Sequence, residues 1–201
     1  MKKIVFLFSH AYSGSDILYK SLDNTFLVQG YRDKNISYFN SSHLFDLTNL
    51  EHKRDLRSAI YMDEILNNYS FYLKNDYDKC HFIYLIREPI ETLSFMIQKS
   101  EKSPFFAVRQ YCFRLRRICE IAKKTPGALF LNWKDLEKKE SLNIIEEYLN
   151  LKEDLIITKD MLSSLKFKGN VYIKKELLDK AQDSYEKYLF FMKNQNLVFV
   201  K

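Results

Sequence analysis

Glycine and proline are scarce in this chain, with 4 glycines and 3 prolines among 201 residues. Long disordered linkers are rich in these residues, so the composition argues against such linkers and against low-complexity tracts. Hydrophobic residues make up 46% of the chain, which is enough to build a sizeable core. Length and composition together predict a single domain over residues 1–201.

Cysteine is also sparse, and long apolar runs are missing. The three cysteines have no CxxC spacing, so a disulfide framework and a metal site are both disfavoured. The opening MKKIVFLFSHA resembles a signal peptide, but its apolar run is too short for the central region of one. No run reaches the roughly 20 apolar residues of a membrane-spanning helix. We therefore expect a cytoplasmic protein without a metal site or a membrane span.

Two standard nucleotide-binding motifs, GxxxxGKS/T and GxGxxG, are absent. The chain nevertheless opens with a related unit. Residues 4–8 are an apolar run, residues 10–15 are a small polar turn that contains Gly14, and the next apolar residues recur at helical spacing. A strand–turn–helix unit of this kind often binds phosphate, because the N–H groups of the turn and of the helix N-terminus point at an anion.

Positive charge exceeds negative charge, with a net charge of +6 and a pI of about 9.0. This excess fits an anionic ligand, nucleic acid or an acidic surface equally well, and it also fits a solvated lysine-rich surface. The most basic segment is the predicted helix 104–124, which contains Arg109, Arg114, Arg116 and Arg117. Its arginines either line an acidic acceptor site or the nucleotide pocket, or they form a solvated helix face.

Predicted strands alternate with predicted helices along the chain. The strands are predicted at residues 3–9, 25–30, 79–86 and 128–133, and the helices at 14–24, 58–75, 89–100, 104–124, 134–151 and 175–194. This order favours an α/β fold with a three-layer, mostly parallel β-sheet flanked by helices. Ligands of such sheets bind beyond the carboxyl ends of the strands, and the turns after Phe8 and Ile86 lie at such ends.

Three stretches of the chain resemble the sulfotransferases that use 3′-phosphoadenosine 5′-phosphosulfate (PAPS). In SHAYSGSDIL, residues 9–18, the Ser-Gly-Ser core matches the family loop that wraps the 5′-phosphosulfate. In HFIYLIREPIETLSF, residues 81–95, Arg87 and Pro89 match a strand–loop–helix unit of the family, whose Arg and Ser bind the 3′-phosphate. ALFLNWKDLEKKESLNIIEEYLNL, residues 128–151, resembles a structural strand and helix of the family.

The resemblance implies a P-loop NTPase-like sulfotransferase fold and PAPS as the sulfuryl donor. The acceptor would be a hydroxyl of a carbohydrate or a small molecule. A looser match, KFKGN at residues 166–170, corresponds to a basic-Gly loop that touches the 3′-phosphate, although it also reads as a basic surface turn. The donor-binding residues that the resemblance implies are Tyr12, Ser13, Gly14, Ser15, Asp16, Arg87, Ser94, Lys166, Lys168 and Gly169.

The chain departs from the family pattern at two positions. Tyr12 stands where the family usually has Lys or Arg, and a protonated His10 is the candidate for supplying the missing charge. Ser94 follows Arg87 by seven residues, whereas the family spacing is eight. An alternative role for Arg87 is an ion pair at the strand end with one of the glutamates that follow it.

The family takes the acceptor's proton with a His or a Glu. His43 is our first choice for this base, and Glu51 and His52 are further candidates in the same segment. Two other functions stay open. Tyr12 favours a non-catalytic sulfotransferase-like protein that binds a nucleotide or a partner. The third hypothesis is a P-loop-like protein that binds a nucleotide or nucleic acid, with nucleic acid the less favoured partner.

Overall fold

The apolar runs of the sequence form one parallel β-sheet. The computed structural model describes residues 4–22, 26–30, 58–63, 80–125, 127–164, 166–167, 169, 171–194 and 198–199. The strands in these ranges are β1 (Ile4–Ser9), β2 (Phe26–Gly30), β3 (Ser58–Asp63), β4 (Cys80–Ile86), β5 (Leu129–Asn132) and β6 (Val198–Phe199). Their order across the sheet is β2-β3-β1-β4-β5-β6, and each neighbouring pair is parallel.

Six α-helices and one 3-10 helix lie in the described ranges. They are α1 (Ser15–Leu22), α2 (Pro89–Ser100), α3 (Pro104–Ala122), the 3-10 helix (Trp133–Glu137), α4 (Lys139–Leu149), α5 (Lys159–Ser163) and α6 (Lys175–Lys193). Proline begins both α2 and α3, because its fixed φ suits the first helical position and its missing N–H costs nothing there. None of the helices in the described ranges is long and apolar enough to cross a membrane.

The sheet separates two hydrophobic clusters, which gives the three layers that the sequence predicts. Successive side chains of a strand point to opposite faces. Phe6 and Phe8 of β1 therefore pack in the cluster that contains buried residues of α2, α3 and α6. Val5 and Leu7 pack in the other cluster, with residues of α1, α4 and α5. The predicted α/β architecture is confirmed.

The helix predicted over residues 58–75 is wrong at its start. Ser58–Asp63 is the strand β3, which lies between β1 and β2 and forms a parallel ladder with each. Periodicity cannot distinguish a short apolar run in a strand from one in a helix, and here pairing on both sides decides the outcome. The two-residue strand β6 was not predicted.

Candidate functional site

The turns after β1 and β4 lie side by side at one edge of the sheet. The two strands are adjacent and in register from Ile4 opposite Cys80 to Ser9 opposite Leu85, so both chains leave the sheet at the same end. The backbone N–H of Arg87 donates a hydrogen bond of 2.9 Å to Nε2 of His10. Nη1 of Arg87 donates to the carbonyl oxygen of Tyr12 at 3.4 Å. The two segments expected to share an anion are therefore in direct contact.

His10 joins the two strand ends as a neutral side chain. It is buried, its Nε2 accepts from Arg87, and its Nδ1–H donates to the Ala11 carbonyl at 3.0 Å. Burial is the main cause that lowers the pKa of His10 to about 4. At neutral pH the ring therefore carries no charge. The suggestion that a protonated His10 replaces the basic residue missing at Tyr12 does not hold.

Acidification is expected to destabilise the protein through His10. An unfolded histidine titrates near 6.5 and the folded one near 4, so between these values the unfolded chain holds a proton that the folded chain lacks. Stability that is present above the unfolded pKa is lost as the pH falls, by about 2 kcal/mol between pH 7 and pH 5. Urea denaturation at the two pH values measures this loss. His10→Gln, which can still accept from the Arg87 N–H, removes the titrating group; an unchanged pH slope in this variant would contradict the assignment.

Arg87 is fully buried at the end of β4 and is held by a carboxylate. Its Nε donates to Oε2 of Glu91 at 2.8 Å, and its Nη2 forms an ion pair with the same oxygen. The guanidinium carbon lies 5.2 Å from the ring centroid of Phe95 and 4.8 Å from that of Trp133. The Tyr111 hydroxyl donates to the Arg87 carbonyl at 2.8 Å. The side chain is thus fixed in place between two aromatic rings.

The loop that connects β1 to α1 has two residues with positive φ, Tyr12 at 61° and Gly14 at 94°. Gly14 lies against Trp133, because a Cβ added to it would come within 2.0 Å of the indole ring. The Tyr12 ring stacks on Phe95 at 5.9 Å, and its hydroxyl shares a hydrogen bond of 3.0 Å with Ser100. Aromatic side chains therefore surround both the loop and Arg87.

Three buried hydroxyl groups around these turns have no hydrogen-bond partner among the described residues: Ser9 Oγ at the end of β1, Ser13 Oγ in the loop, and Thr92 Oγ1 in the first turn of α2. An unsatisfied buried polar atom costs about 1–3 kcal/mol, so such groups need an explanation. Hydroxyl groups of this kind can donate to a bound anion. Only Ser13 was predicted from the sequence; Ser9, the last residue of β1, and Thr92, in the helix after β4, were missed.

The remaining residues predicted to bind the donor are less well placed to contact an anion at these turns. Ser15 is buried and Asp16 is exposed at the start of α1. Ser94 is buried and donates to the Ile90 carbonyl at 2.7 Å. Lys166 is exposed and forms an ion pair with Glu137 at 3.4 Å.

The segment that contains Gly169 approaches α2. The ring of Phe167 meets Phe95 edge-on at 5.6 Å, and a Cβ on Gly169 would lie 3.8 Å from the Gln98 amide nitrogen. Phe167 therefore contacts a ring that also lies beside the Arg87 guanidinium. Four of the predicted residues, His43, Glu51, His52 and Lys168, lie outside the described residues. Among the described residues, no group of three or more His, Cys, Asp or Glu side chains could hold a metal ion.

Comparison with solved structures relates this architecture to sulfotransferase domains. The sulfotransferase domain from the Synechococcus PCC 7002 olefin synthase matches with a TM-score of 0.55 and 14% identity, over 95% of this chain and 96% of that one. Mouse sulfotransferase SULT7A1, complexed with PAP, matches with a TM-score of 0.50 and 16% identity, over 82% of this chain and 63% of that one. No family model and no curated protein sequence matches the chain. The chain has the sulfotransferase fold, as its motifs predict.

Proposed function

We propose that the chain is a sulfotransferase that takes the sulfuryl group from PAPS and transfers it to a hydroxyl of a carbohydrate or small-molecule acceptor. One observation carries this proposal. In a protein with the sulfotransferase fold, the loop of residues 12–16 and the Arg87 side chain meet at the carboxyl ends of two adjacent parallel strands. Ligands of open α/β sheets bind at this edge.

The chemistry of the loop fits the 5′-phosphosulfate end of the donor. The N–H groups of residues 14–16 lie at the N-terminus of α1, where the helix dipole favours an anion, whereas the Ser13 N–H already donates to the His10 carbonyl at 3.1 Å. The unpartnered hydroxyls of Ser9 and Ser13 add two donors at the end of β1. These groups would replace the water that solvates the phosphosulfate.

Arg87 is the group that would bind the 3′-phosphate. A planar guanidinium holds two anionic oxygens side by side, and here two of its nitrogens already bind the Glu91 carboxylate. The Glu91 side chain is 39% exposed, so it can move into solvent when a phosphate takes its place. The Thr92 hydroxyl, without a partner one residue later, would be a further donor. The neighbour SULT7A1 was solved in complex with PAP, which is adenosine 3′,5′-bisphosphate and has both a 3′-phosphate and a 5′-phosphate.

The transfer step places specific demands on the chain. An acceptor oxygen forms a bond to sulfur while the bond between sulfur and the 5′-phosphate oxygen breaks, and a base takes the acceptor's proton. His43 is our candidate for this base. Negative charge develops on the leaving phosphate, and neither Tyr12 nor the neutral His10 brings a positive charge to it. We therefore expect slow turnover.

A second candidate function is nucleotide binding without transfer. Tyr12 favours it, because this residue replaces a cation with an aromatic ring that already stacks on Phe95 and shares a hydrogen bond with Ser100. Both candidates require the protein to bind adenosine 3′,5′-bisphosphate, the product that remains after PAPS loses its sulfuryl group. They differ in whether labelled sulfate reaches an acceptor.

Tyr12→Lys is expected to increase sulfuryl transfer by about tenfold or more, because one well-placed donor to a developing anion is worth about 100-fold in some enzymes. Transfer of labelled sulfate from PAPS to a panel of hydroxyl acceptors measures the rate. Tyr12→Phe is the matched control, since it keeps the ring and adds no charge. If adenosine 3′,5′-bisphosphate at millimolar concentration does not raise the melting temperature, both candidate functions are wrong. Binding without transfer, in the wild type and in Tyr12→Lys, would support the second candidate.

A further inference from the structure

A basic groove lies between α3 and α6, in the helical layer that covers one face of the sheet. Its volume is about 690 Å³. A smaller pocket of about 240 Å³ continues it, since Arg109 and Lys180 line both. The Cys112 thiol approaches the Lys180 carbonyl, and the Lys123 ammonium lies over the Phe191 ring. Because these contacts advance together along both helices, α3 and α6 run in the same direction.

The residues that line the groove recur every three to four positions along both helices, singly or as neighbouring pairs. On α3 they are Phe105, Val108, Arg109, Cys112, Phe113, Leu115, Arg116 and Cys119, and Lys123 follows at the C-terminus of this helix. On α6 they are Leu177, Lys180, Ser184, Lys187, Tyr188 and Phe191. Residues three or four positions apart lie on the same face of a helix, so the lining is one face of each helix. Two parallel helices whose lining faces lie side by side form a groove in which a third helix can pack.

The floor of the groove contains buried, uncharged side chains such as Leu115 and Tyr188, whereas the cations that line it are exposed at its sides. Burial raises the pKa of the Cys119 thiol to about 11, so it stays neutral. Lys187 has a carboxylate partner, Asp183, at 2.6 Å. Among the described residues, no carboxylate forms an ion pair with Arg109, Arg116, Lys123 or Lys180. A ligand with negative charge beside an apolar stripe would therefore be complementary to the groove.

We propose that the groove between α3 and α6 binds an acidic amphipathic α-helix of a partner protein. The lining runs from Phe105 to Lys123, 18 positions further along the chain, which is roughly 27 Å or about five helical turns. The apolar face of the partner helix packs on the floor, and its Glu and Asp side chains pair with the cations on the sides. A lipid bilayer presents a flat surface and would not fill a concave groove. A nucleic-acid backbone has no apolar stripe that matches the floor. The proposal does not depend on sulfuryl transfer, because the groove shares none of its lining residues with the loops after β1 and β4.

A designed peptide tests this proposal directly. The probe is a fluorescein-labelled peptide of about three heptads with Leu at positions a and d and Glu at positions e and g, and the control peptide has Lys in place of Glu. We expect the acidic peptide to bind in the micromolar range by fluorescence anisotropy, to gain helicity by circular dichroism, and to bind more weakly as salt increases. The Lys peptide is expected not to bind.

Charge reversal locates the binding surface. Arg116→Glu combined with Lys180→Glu is expected to weaken binding of the acidic peptide by about tenfold or more. Lys152→Glu combined with Lys159→Glu makes the same change in net charge on exposed residues outside the groove and is expected to leave affinity within about twofold. Circular dichroism and melting temperature establish that both variants are folded.

Three results would overturn the proposal. The first is equal binding of the two peptides, or equal weakening by both double variants. The second is no binding of the acidic peptide while vesicles with phosphatidylserine or a DNA duplex bind the wild type and not the groove variant. The third is concentration-dependent self-association in size-exclusion chromatography that the groove variant abolishes, since a second copy of the chain would then occupy this face.

Discussion

Arg87→Met is expected to lower the affinity for adenosine 3′,5′-bisphosphate by at least about 100-fold, because each charge-assisted hydrogen bond contributes about 1.5–3 kcal/mol. Methionine keeps an unbranched, flexible side chain on the path toward Phe95 and Trp133 and removes every donor of the guanidinium. Isothermal titration calorimetry on folded protein measures the change. The loss should appear with the bisphosphate and be smaller with adenosine 5′-monophosphate, which has no 3′-phosphate.

Glu91→Gln is the matched control for Arg87→Met. Both substitutions break the same ion pair, but Glu91→Gln leaves the guanidinium in place and removes the carboxylate that competes with a phosphate for it. We expect this variant to bind the bisphosphate as tightly as the wild type or more tightly. Urea denaturation must show that the variant is folded, since the substitution leaves the buried Arg87 without its carboxylate partner. If Arg87→Met keeps wild-type affinity, or if Glu91→Gln loses as much as Arg87→Met, the assignment of Arg87 to the 3′-phosphate is wrong.

The predictable parts of the fold are the elements whose sequence pattern is compatible with only one kind of secondary structure. β1 and β4 are continuous apolar runs bounded by polar turns, and such runs form strands that are buried on both faces of a parallel sheet. The adjacency of their carboxyl ends follows from the sulfotransferase resemblance of the two motifs. Both the fold and the contact between the loop of residues 12–16 and Arg87 were therefore predictable from the sequence.

The walls of the site were not predictable, because they depend on packing between distant segments. Trp133 follows β5 and Phe95 lies on α2, yet both rings flank the Arg87 guanidinium. The sequence shows only that these two residues are apolar, and it does not show that they lie next to Arg87. The charge state of His10 was not predictable for the same reason, since it also depends on packing between distant segments. A histidine after a strand titrates normally unless it is buried, and burial depends on residues such as Tyr111, whose ring meets it edge-on at 5.1 Å.

Glu91 shows a third limit of sequence reasoning. An ion pair between Arg87 and a following glutamate was one of the alternatives, and the structure contains it. The i and i+4 spacing favours such a pair when both residues belong to one helix. Arg87, however, precedes α2, so the geometry of the turn at Glu88 and Pro89 decides whether the side chains meet. The result is an arginine that is positioned and partly neutralised, in a place where a phosphate could exchange with the carboxylate.

Gly14→Ala is expected to destabilise the protein by about 2–5 kcal/mol, as the sum of two effects. The φ of 94° at this position is one that L-residues avoid, at a cost of about 1–2 kcal/mol. The added Cβ would also lie 2.0 Å from the Trp133 ring, which is buried and has little room to shift. Urea denaturation at neutral pH measures the change in the free energy of unfolding.

Gly127→Ala separates the two effects within the same chain. Gly127 also has a positive φ, 70°, but an added Cβ there would meet no atom within 4 Å. We expect this variant to lose only the conformational part, about 1–2 kcal/mol. In the Gly14→Ala background, Trp133→Leu removes the ring that the Cβ meets, so a double-mutant cycle should show favourable coupling between the two substitutions. Equal destabilisation by the two glycine variants, or no coupling in the cycle, would contradict close packing of the loop on Trp133. Such a result would also remove one of the contacts that fix the loop beside Arg87.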